Sequence, residues 1–149
     1  MAARPSPTAP PPTPGRSARP AAGWLRSALA LLFVGAGVLH FGRPAIFERI
    51  VPPALPAPHL LVLLSGVAEV AGGLGLLLPA TRRAAGWGLL ALLVAVFPAN
   101  VYMVGLASAL HLPAWVLWAR LPLQPLLMWL VWRAAELARG THPPAPAGG

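Results

Sequence analysis

The sequence predicts an all-α membrane protein, a bundle of four transmembrane helices with both ends of the chain in the cytoplasm. Composition and pattern both point to this fold. Of the 149 residues, 57% are hydrophobic and 9% are charged, whereas roughly a quarter of the residues of a soluble domain are charged. The mean hydropathy is +0.70. The apolar residues form four long runs, and most of the arginines lie between or beside them.

The four apolar runs cover about residues 24–41, 60–78, 86–106 and 113–132. Each comes close to the roughly 20 residues with which a helix crosses a hydrocarbon core. We predict helices because a span in lipid must satisfy its own backbone hydrogen bonds, and a barrel would need short alternating segments. The first run could instead be a signal peptide, but it is long, follows a long N-terminal region and lacks a clear cleavage site.

The arginines predict the orientation of the bundle. Eight of them lie before or at the start of the first run, between the second and third, or after the fourth, while the first loop holds only Arg43 and Arg49. Loops rich in arginine stay in the cytoplasm. The net charge of +8 would also suit nucleic acid, but arginines that flank apolar runs favour a lipid bilayer, and we predict no nucleic-acid partner. The chain has no cysteine, which excludes disulfides and thiolate chemistry.

Both ends of the chain differ in composition from the predicted membrane domain at residues 23–137. Residues 1–22 are rich in Pro, Ala and Arg, and residues 138–149 are similar in character. Neither segment has an apolar face to bury, so we predict disordered tails. The run from Pro10 to Pro14 could dock a partner, but a solvated tail is the favoured interpretation because only composition marks it.

The loop after the first run predicts a short interfacial helix. Pro44 suits a first helical turn, and Pro52 and Pro53 would end the helix. Ile46 and Phe47 would share a face with Ile50 and Val51 at helical spacing. An irregular loop is the less favoured alternative.

Two charged residues lie deep within the predicted spans. Glu69 is central in the second run, and Arg120 lies about seven residues into the fourth, so their depths are roughly 13 Å and 10 Å. Because an unpaired charge at such depth is costly, we expect them to pair inside the bundle.

Further polar residues lie toward the same, outer half of the bundle. Asn100 and Gln124 could join the pair, Ser65 is one turn from Glu69, and His40 closes the first run. Two interpretations remain open: a ligand pocket or proton path, and polar contacts that hold the helices together. We predict that any site opens toward the outer leaflet. His40, His59 and His111 do not predict a metal site, since no acidic ligand accompanies them at a suitable spacing.

Small residues and prolines in the spans predict close and bent helices. Ala68–Gly72 and Ala71–Gly75 are small-x-x-x-small pairs, which let helices approach. Pro98, Pro122 and Pro125 should each kink a helix beside a polar residue.

Four pieces of the chain resemble the DoxX-like family of small bacterial membrane proteins. They are HFGRPAIFERIVPPALP, SGVAEVAGGLGLLLPATRRAAGWGLL, FPANVYM and RLPLQPLL, within residues 40–124. The resemblance implies a four-helix bundle in the bacterial plasma membrane, of a branch without assigned activity. Some members are subunits of quinone-linked sulfur oxidation, and others accompany oxidative-stress enzymes. The recurrent polar positions of the family correspond to His40, Glu69, Asn100, Arg120 and Gln124, and the family supplies no established catalytic residue.

The sequence therefore predicts a redox-associated membrane subunit, with a site for a quinone or another small hydrophobic ligand around Glu69 and Arg120. The alternative is a non-catalytic anchor or partner subunit for a soluble oxidoreductase, since no cofactor motif or nucleophile–base pair is evident. Transport is weaker, because no inverted repeat is evident. Whether the chain is an enzyme, and its oligomeric state, stay open.

Overall fold

The structure, a computed structural model, describes residues 21–137. Its helices are α1 (Ala21–Gly42), α2 (Pro44–Glu48), α3 (Pro58–Leu77), α4 (Arg82–Gly105) and α5 (Ala114–Ala134). Within these residues there is no strand. The four long helices are long and apolar enough to cross a membrane, which confirms the predicted fold class. Most of the predicted tails lies outside the described residues.

The four long helices form a ring in which neighbours follow a simple order. α1 packs along α3, α3 along α4 and α4 along α5, while α5 meets α1 over a short stretch only. Four passes bring Ala21 and Ala134 to the same end of the bundle, here called the terminal end. The opposite, distal end carries α2 and the loop at residues 106–113. The cytoplasmic location of the terminal end stays a prediction.

The apolar core lies in the terminal half of the bundle. It is made of buried side chains from all four long helices: Leu29, Phe33, Leu76, Leu89, Leu93, Val131, Ala134 and Ala135. Large apolar side chains also cover the outside, for example Leu31, which is 77% exposed. An exterior of this kind suits lipid rather than water. The protein is therefore a multi-pass membrane protein.

Glycines allow α1 and α3 to cross closely. A Cβ at Gly37 would lie 2.7 Å from the carbonyl oxygen of Gly66, and a Cβ at Gly73 would lie 3.1 Å from that of Ala30. On its other side α3 meets α4, where Leu89 fills the space over Gly72 and Ala85 lies against Gly75. Gly72 and Gly75, the glycines of the two predicted small-residue pairs, therefore pack against α4.

Ala68 and Ala71, the other members of those pairs, are exposed. Pro98 lies inside α4, and Pro122 and Pro125 lie inside α5, and both helices continue through them.

A polar cluster closes the bundle at its terminal end. Arg26 on α1 donates from Nη2 to Oε1 of Glu136 at 2.7 Å and from Nε to the carbonyl of Ala134 at 3.2 Å. Arg82 Nη1 lies 4.0 Å from the same Glu136 oxygen. Glu136 has a positive φ of 59°, and the amides of Glu136 and Leu137 bond back to Arg133 and Trp132. This is the Schellman motif that ends a helix, and it positions the carboxylate beside α1.

Candidate functional site

The close crossing of α1 and α3 sets the position of the main polar contact in the spans. Gly66, Glu69 and Gly73 lie three and four residues apart and so share one face of α3. A Cβ at Gly66 would lie 2.9 Å from Cβ of His40. Because α3 has no side chain there, His40 on α1 fits against the α3 backbone, one turn from Glu69.

The His40 imidazole lies between two oxygen atoms. Its Nδ1 is 2.8 Å from the carbonyl oxygen of Ala36 and 3.2 Å from Oε2 of Glu69. A carbonyl oxygen only accepts, so Nδ1 carries a hydrogen and donates it to Ala36. Glu69 Oε2 is thus in contact with the imidazole but is buried without a hydrogen-bond partner among residues 21–137. The pair holds one buried oxygen whose hydrogen-bonding capacity is unused.

The short helix α2 covers His40. The Phe47 ring stacks on the imidazole, with ring centroids 3.8 Å apart and planes inclined by 20°. Glu48 anchors the same helix to α3, since its Oε1 lies 2.7 Å from Nδ1 of His59. The predicted short helix after the first span is therefore confirmed and begins at Pro44 as expected, and its location in the membrane interface stays a prediction. The helix ends at Glu48, before Ile50 and Val51. Its Phe47 side chain packs on His40 of α1.

A second polar contact joins α4 and α5. Asn100 Nδ2 donates to Oε1 of Gln124 at 2.6 Å, and Gln124 Nε2 donates to the carbonyl of Leu93. Pro98 has no amide hydrogen, so the carbonyl of Val94, the residue after Leu93, does not receive the usual helical hydrogen bond. Gln124 is buried, and both the oxygen and the nitrogen of its side-chain amide form hydrogen bonds. This arrangement fits the interpretation of a polar contact between helices.

The expected ion pair between Glu69 and Arg120 does not form, and this prediction is wrong. Glu69 faces α1, while Arg120 lies on α5, which does not adjoin α3 in the ring. Arg120 is exposed, and no hydrogen bond or ion pair to it occurs within the described part of the chain. The predicted polar set thus divides into the His40–Glu69 pair, the Asn100–Gln124 pair and a separate arginine.

Ser65 and the remaining histidines do not join either pair. Ser65 donates to the carbonyl of Val62 in its own helix, as expected for a membrane serine. His59 is engaged by Glu48, and His111 is exposed in the distal loop. Residues 21–137 contain no group of three or more side chains suited to hold a metal ion.

The comparison with protein families covers all four membrane helices. Residues 29–135 match a family described as domain of unknown function DUF8561. The chain belongs to the DUF8561 family. No curated protein matches it, and neither does a solved structure. Both polar pairs and Phe47 fall inside the matched DUF8561 region, whereas the terminal tails fall outside it. Membership of the DoxX-like family stays a prediction.

This DUF8561 chain also has an open groove in the terminal half, away from the polar pairs. The groove has a volume of about 460 Å³ and runs between α3 and α4 to the turn before α4. We call it the small-residue groove; its lining includes Ala68, Ala71, Gly75, Thr81, Ala84 and Gly88. The sequence predicts any site toward the outer leaflet, which corresponds to the distal side, and it does not predict this groove.

The contacts of His40 with Glu69 and Phe47, and those of Glu136, are also not among the predictions from the sequence. One available clue was the spacing of Gly66, Glu69 and Gly73, which predicts that the glutamate shares a face with two close-approach glycines. The ring contact of Phe47 has no comparable clue, because it depends on how the loop folds back over α1.

Proposed function

We propose that this membrane protein binds a small apolar molecule with hydrogen-bonding oxygens, of the quinone class, at His40 and Glu69. The observation that carries the proposal is the buried Oε2 of Glu69, which contacts His40 Nδ1 and has no hydrogen-bond partner among the described residues. Buried polar atoms are nearly always paired, and an unpaired one calls for an explanation. A ligand oxygen or hydroxyl would supply the missing partner.

The chemistry of the pair suits such a ligand. An imidazole beside a carboxyl group can take up and release a proton. With Nδ1 donating to Ala36, the other ring nitrogen of His40 is available to a ligand. Within the bundle a hydrogen bond to such a group is stronger than in water. A quinone offers two carbonyl oxygens on an apolar ring, and it reaches membrane proteins from the lipid phase.

Phe47 gives the site an aromatic wall and a route of entry. Its ring already stacks on His40 at 3.8 Å, and the helix that carries it is five residues long. Displacement of this ring would open the imidazole toward the distal end. The resemblance of residues 40–124 to DoxX-like proteins supports the same proposal, since some of those proteins serve quinone-linked oxidation. We propose that the protein lies in the bacterial plasma membrane.

A binding titration tests the proposed site. The purified protein in nanodiscs is titrated with a short-chain ubiquinone analogue, and quenching of tryptophan fluorescence reports binding. We expect Glu69→Gln and His40→Leu each to weaken binding about tenfold or more, the loss expected when a hydrogen bond to a charged group is removed.

Two control variants change polar residues that do not contact His40 or Glu69. Ser65→Ala changes a hydroxyl one turn from Glu69 that bonds only its own helix, and Arg120→Gln removes the separate arginine. Both should bind as the unmodified protein does. Absence of saturable binding, or equal binding by Glu69→Gln, would refute the proposal.

A second function, that of a membrane partner subunit, is favoured by Arg120. This arginine is exposed on α5 about 9 Å below the start of the helix. Arginines at such depth normally pair with an acidic group. We propose as the alternative that a carboxylate on a membrane helix of another protein supplies it. The exposed Leu123, one turn away on the same face of α5, would add apolar contact area.

Site-specific crosslinking tests the partner function. A photoreactive amino acid at exposed Leu123, one turn from Arg120, should capture another membrane protein in native membranes. The capture should be lost on Arg120→Gln and retained on Arg133→Gln, which changes an arginine at the terminal end. Crosslinks between copies of this chain alone would argue against this function.

A further inference from the structure

The short helix α2 is only lightly packed against the rest of the bundle. None of its five residues is buried. Residues 49–57, which belong to no helix, connect it to α3. Phe47 and Glu48 hold it in place through their side chains. Segments with few buried apolar contacts open at a lower free-energy cost than the core does, so α2 can move while the four long helices stay packed.

The two contacts of α2 reach different helices. Phe47 stacks on His40 of α1, with ring centroids 3.8 Å apart, and His40 is only 9% exposed. Oε1 of Glu48 lies 2.7 Å from Nδ1 of His59 on α3. These two side chains are 32% and 64% exposed, and an exposed pair of this kind changes an equilibrium by about fivefold or less. The pair can therefore bias the position of α2 without fixing it.

The connection from α2 to α3 is strained at one residue. Ala57, directly before α3, has a φ of 49° and a ψ of 59°, in the left-handed region. A residue with a Cβ is unfavourable there, and such conformations persist only where the surrounding structure imposes them. Rearrangement of the loop would relieve this strain. The strain therefore opposes the contacts that hold α2 against the bundle.

We propose that α2 is a lid over His40, and that the Glu48–His59 pair is the latch that holds the lid closed. The inference rests on the ligand site proposed at His40 and Glu69, because the lid would control access to it from the distal end. Opening moves the Phe47 ring away from the imidazole. Loss of the latch shifts the lid toward the open position, since only the ring contact then opposes the strained loop.

Modification of His40 by diethyl pyrocarbonate, measured by peptide mass spectrometry without any ligand, reports the opening of the lid. We expect Glu48→Gln and His59→Gln each to raise the rate by about two- to fivefold. The double variant should modify no faster than either single variant, because both changes break the same pair.

Matched controls remove a charge and a histidine nearby. Arg49→Gln changes the exposed residue that directly follows Glu48, and His111→Gln changes an exposed histidine of the distal loop. Both should leave the rate at His40 unchanged.

A reversible bridge tests the latch in the opposite direction. The chain has no cysteine, so Glu48→Cys combined with His59→Cys provides the only two thiols for a short, reducible crosslinker. The bridged protein should modify His40 more slowly than the unmodified protein does. Cleavage of the bridge, with the reductant removed before diethyl pyrocarbonate is added, should raise the rate to that of the latch variants.

An unchanged rate in both latch variants, or a bridge that does not slow modification, would overturn the lid. Titration of the same preparations with a short-chain ubiquinone analogue separates the lid from the ligand. Slower association with the bridged protein supports both proposals. A bridge that slows modification of His40 in a protein that never binds the analogue supports the lid and refutes the proposed ligand. Equally fast association with bridged and cleaved protein supports the ligand site and overturns the lid.

Discussion

Nδ1 of His40 on α1 lies 3.2 Å from Oε2 of Glu69 on α3, although the two residues are separated by the whole of the first loop. The contact depends on the glycine at position 66, which leaves room for the imidazole against the α3 backbone. Helix packing and the proposed site are therefore coupled, and a change that separates α1 from α3 should also alter the environment of Glu69.

Gly66→Ala should destabilise the bundle. The added methyl group would lie 2.9 Å from Cβ of His40 and 3.1 Å from the carbonyl of Gly37. Overpacking of this kind costs about 1–3 kcal/mol. Thermal unfolding in detergent, followed by circular dichroism, should show a lower midpoint than for the unmodified protein.

Gly35→Ala is the matched control for this change. A Cβ at Gly35 meets nothing within 4 Å, and alanine is the better helix former by about 1 kcal/mol. The control should be as stable as the unmodified protein or more so. An unchanged midpoint for Gly66→Ala would mean that α1 and α3 are not in close contact at this position.

Asn100 and Gln124 should be energetically coupled through the hydrogen bond between their side-chain amides. Hydrogen bonds between membrane helices contribute about 0.6 kcal/mol on average and up to about 1.7. Gln124→Leu should cost more than Asn100→Leu, because Gln124 also donates to the carbonyl of Leu93. A double-mutant cycle on the free energy of unfolding measures the coupling. Additive costs of the two single changes would show that the contact does not stabilise the fold.

Hydropathy predicts the four spans because the length of an apolar run is set by the bilayer itself. It does not predict which helices adjoin, and the expected partner of Glu69 was wrong for that reason. A ring order of α1, α3, α4 and α5 puts the second and fourth spans on a diagonal. The pairing of Asn100 with Gln124 can be predicted from the sequence, since consecutive spans joined by a short loop tend to be neighbours. The position of Phe47 over His40 follows from the fold of the first loop, which periodicity does not encode.

The ion pair at the terminal end should stabilise closure between α1 and α5. Arg26 and Glu136 are 17% and 27% exposed, and removal of a hydrogen bond to a charged group costs about 1.5–3 kcal/mol. Glu136→Ala should lower the free energy of unfolding by this amount. Glu136→Gly should be less harmful by about 1 kcal/mol, since glycine relieves the left-handed backbone at this position.

Thermal unfolding of the two Glu136 variants separates the contact from the backbone strain. Both changes remove the carboxylate, so the difference in stability between the two variants reports the backbone strain alone. Arg26→Gln removes the other partner and should destabilise the protein by a similar amount to Glu136→Ala. Equal stability of the alanine and glycine variants would contradict the strained cap, and unchanged stability of Arg26→Gln would contradict the ion pair.

Phe47→Ala should expose His40 to a histidine reagent added from the distal side. His40 is 9% exposed and lies under the Phe47 ring, so its modification by diethyl pyrocarbonate should be slow. Without the ring the imidazole becomes accessible, and its modification, measured by peptide mass spectrometry, should reach the rate of an exposed histidine such as His111. Ile46→Ala removes a neighbouring exposed side chain of α2 that does not stack on His40 and should leave the rate unchanged. A Phe47→Ala protein whose His40 stays protected would show that α2 does not cover the imidazole, and that access to Glu69 is governed by α1 and α3 alone.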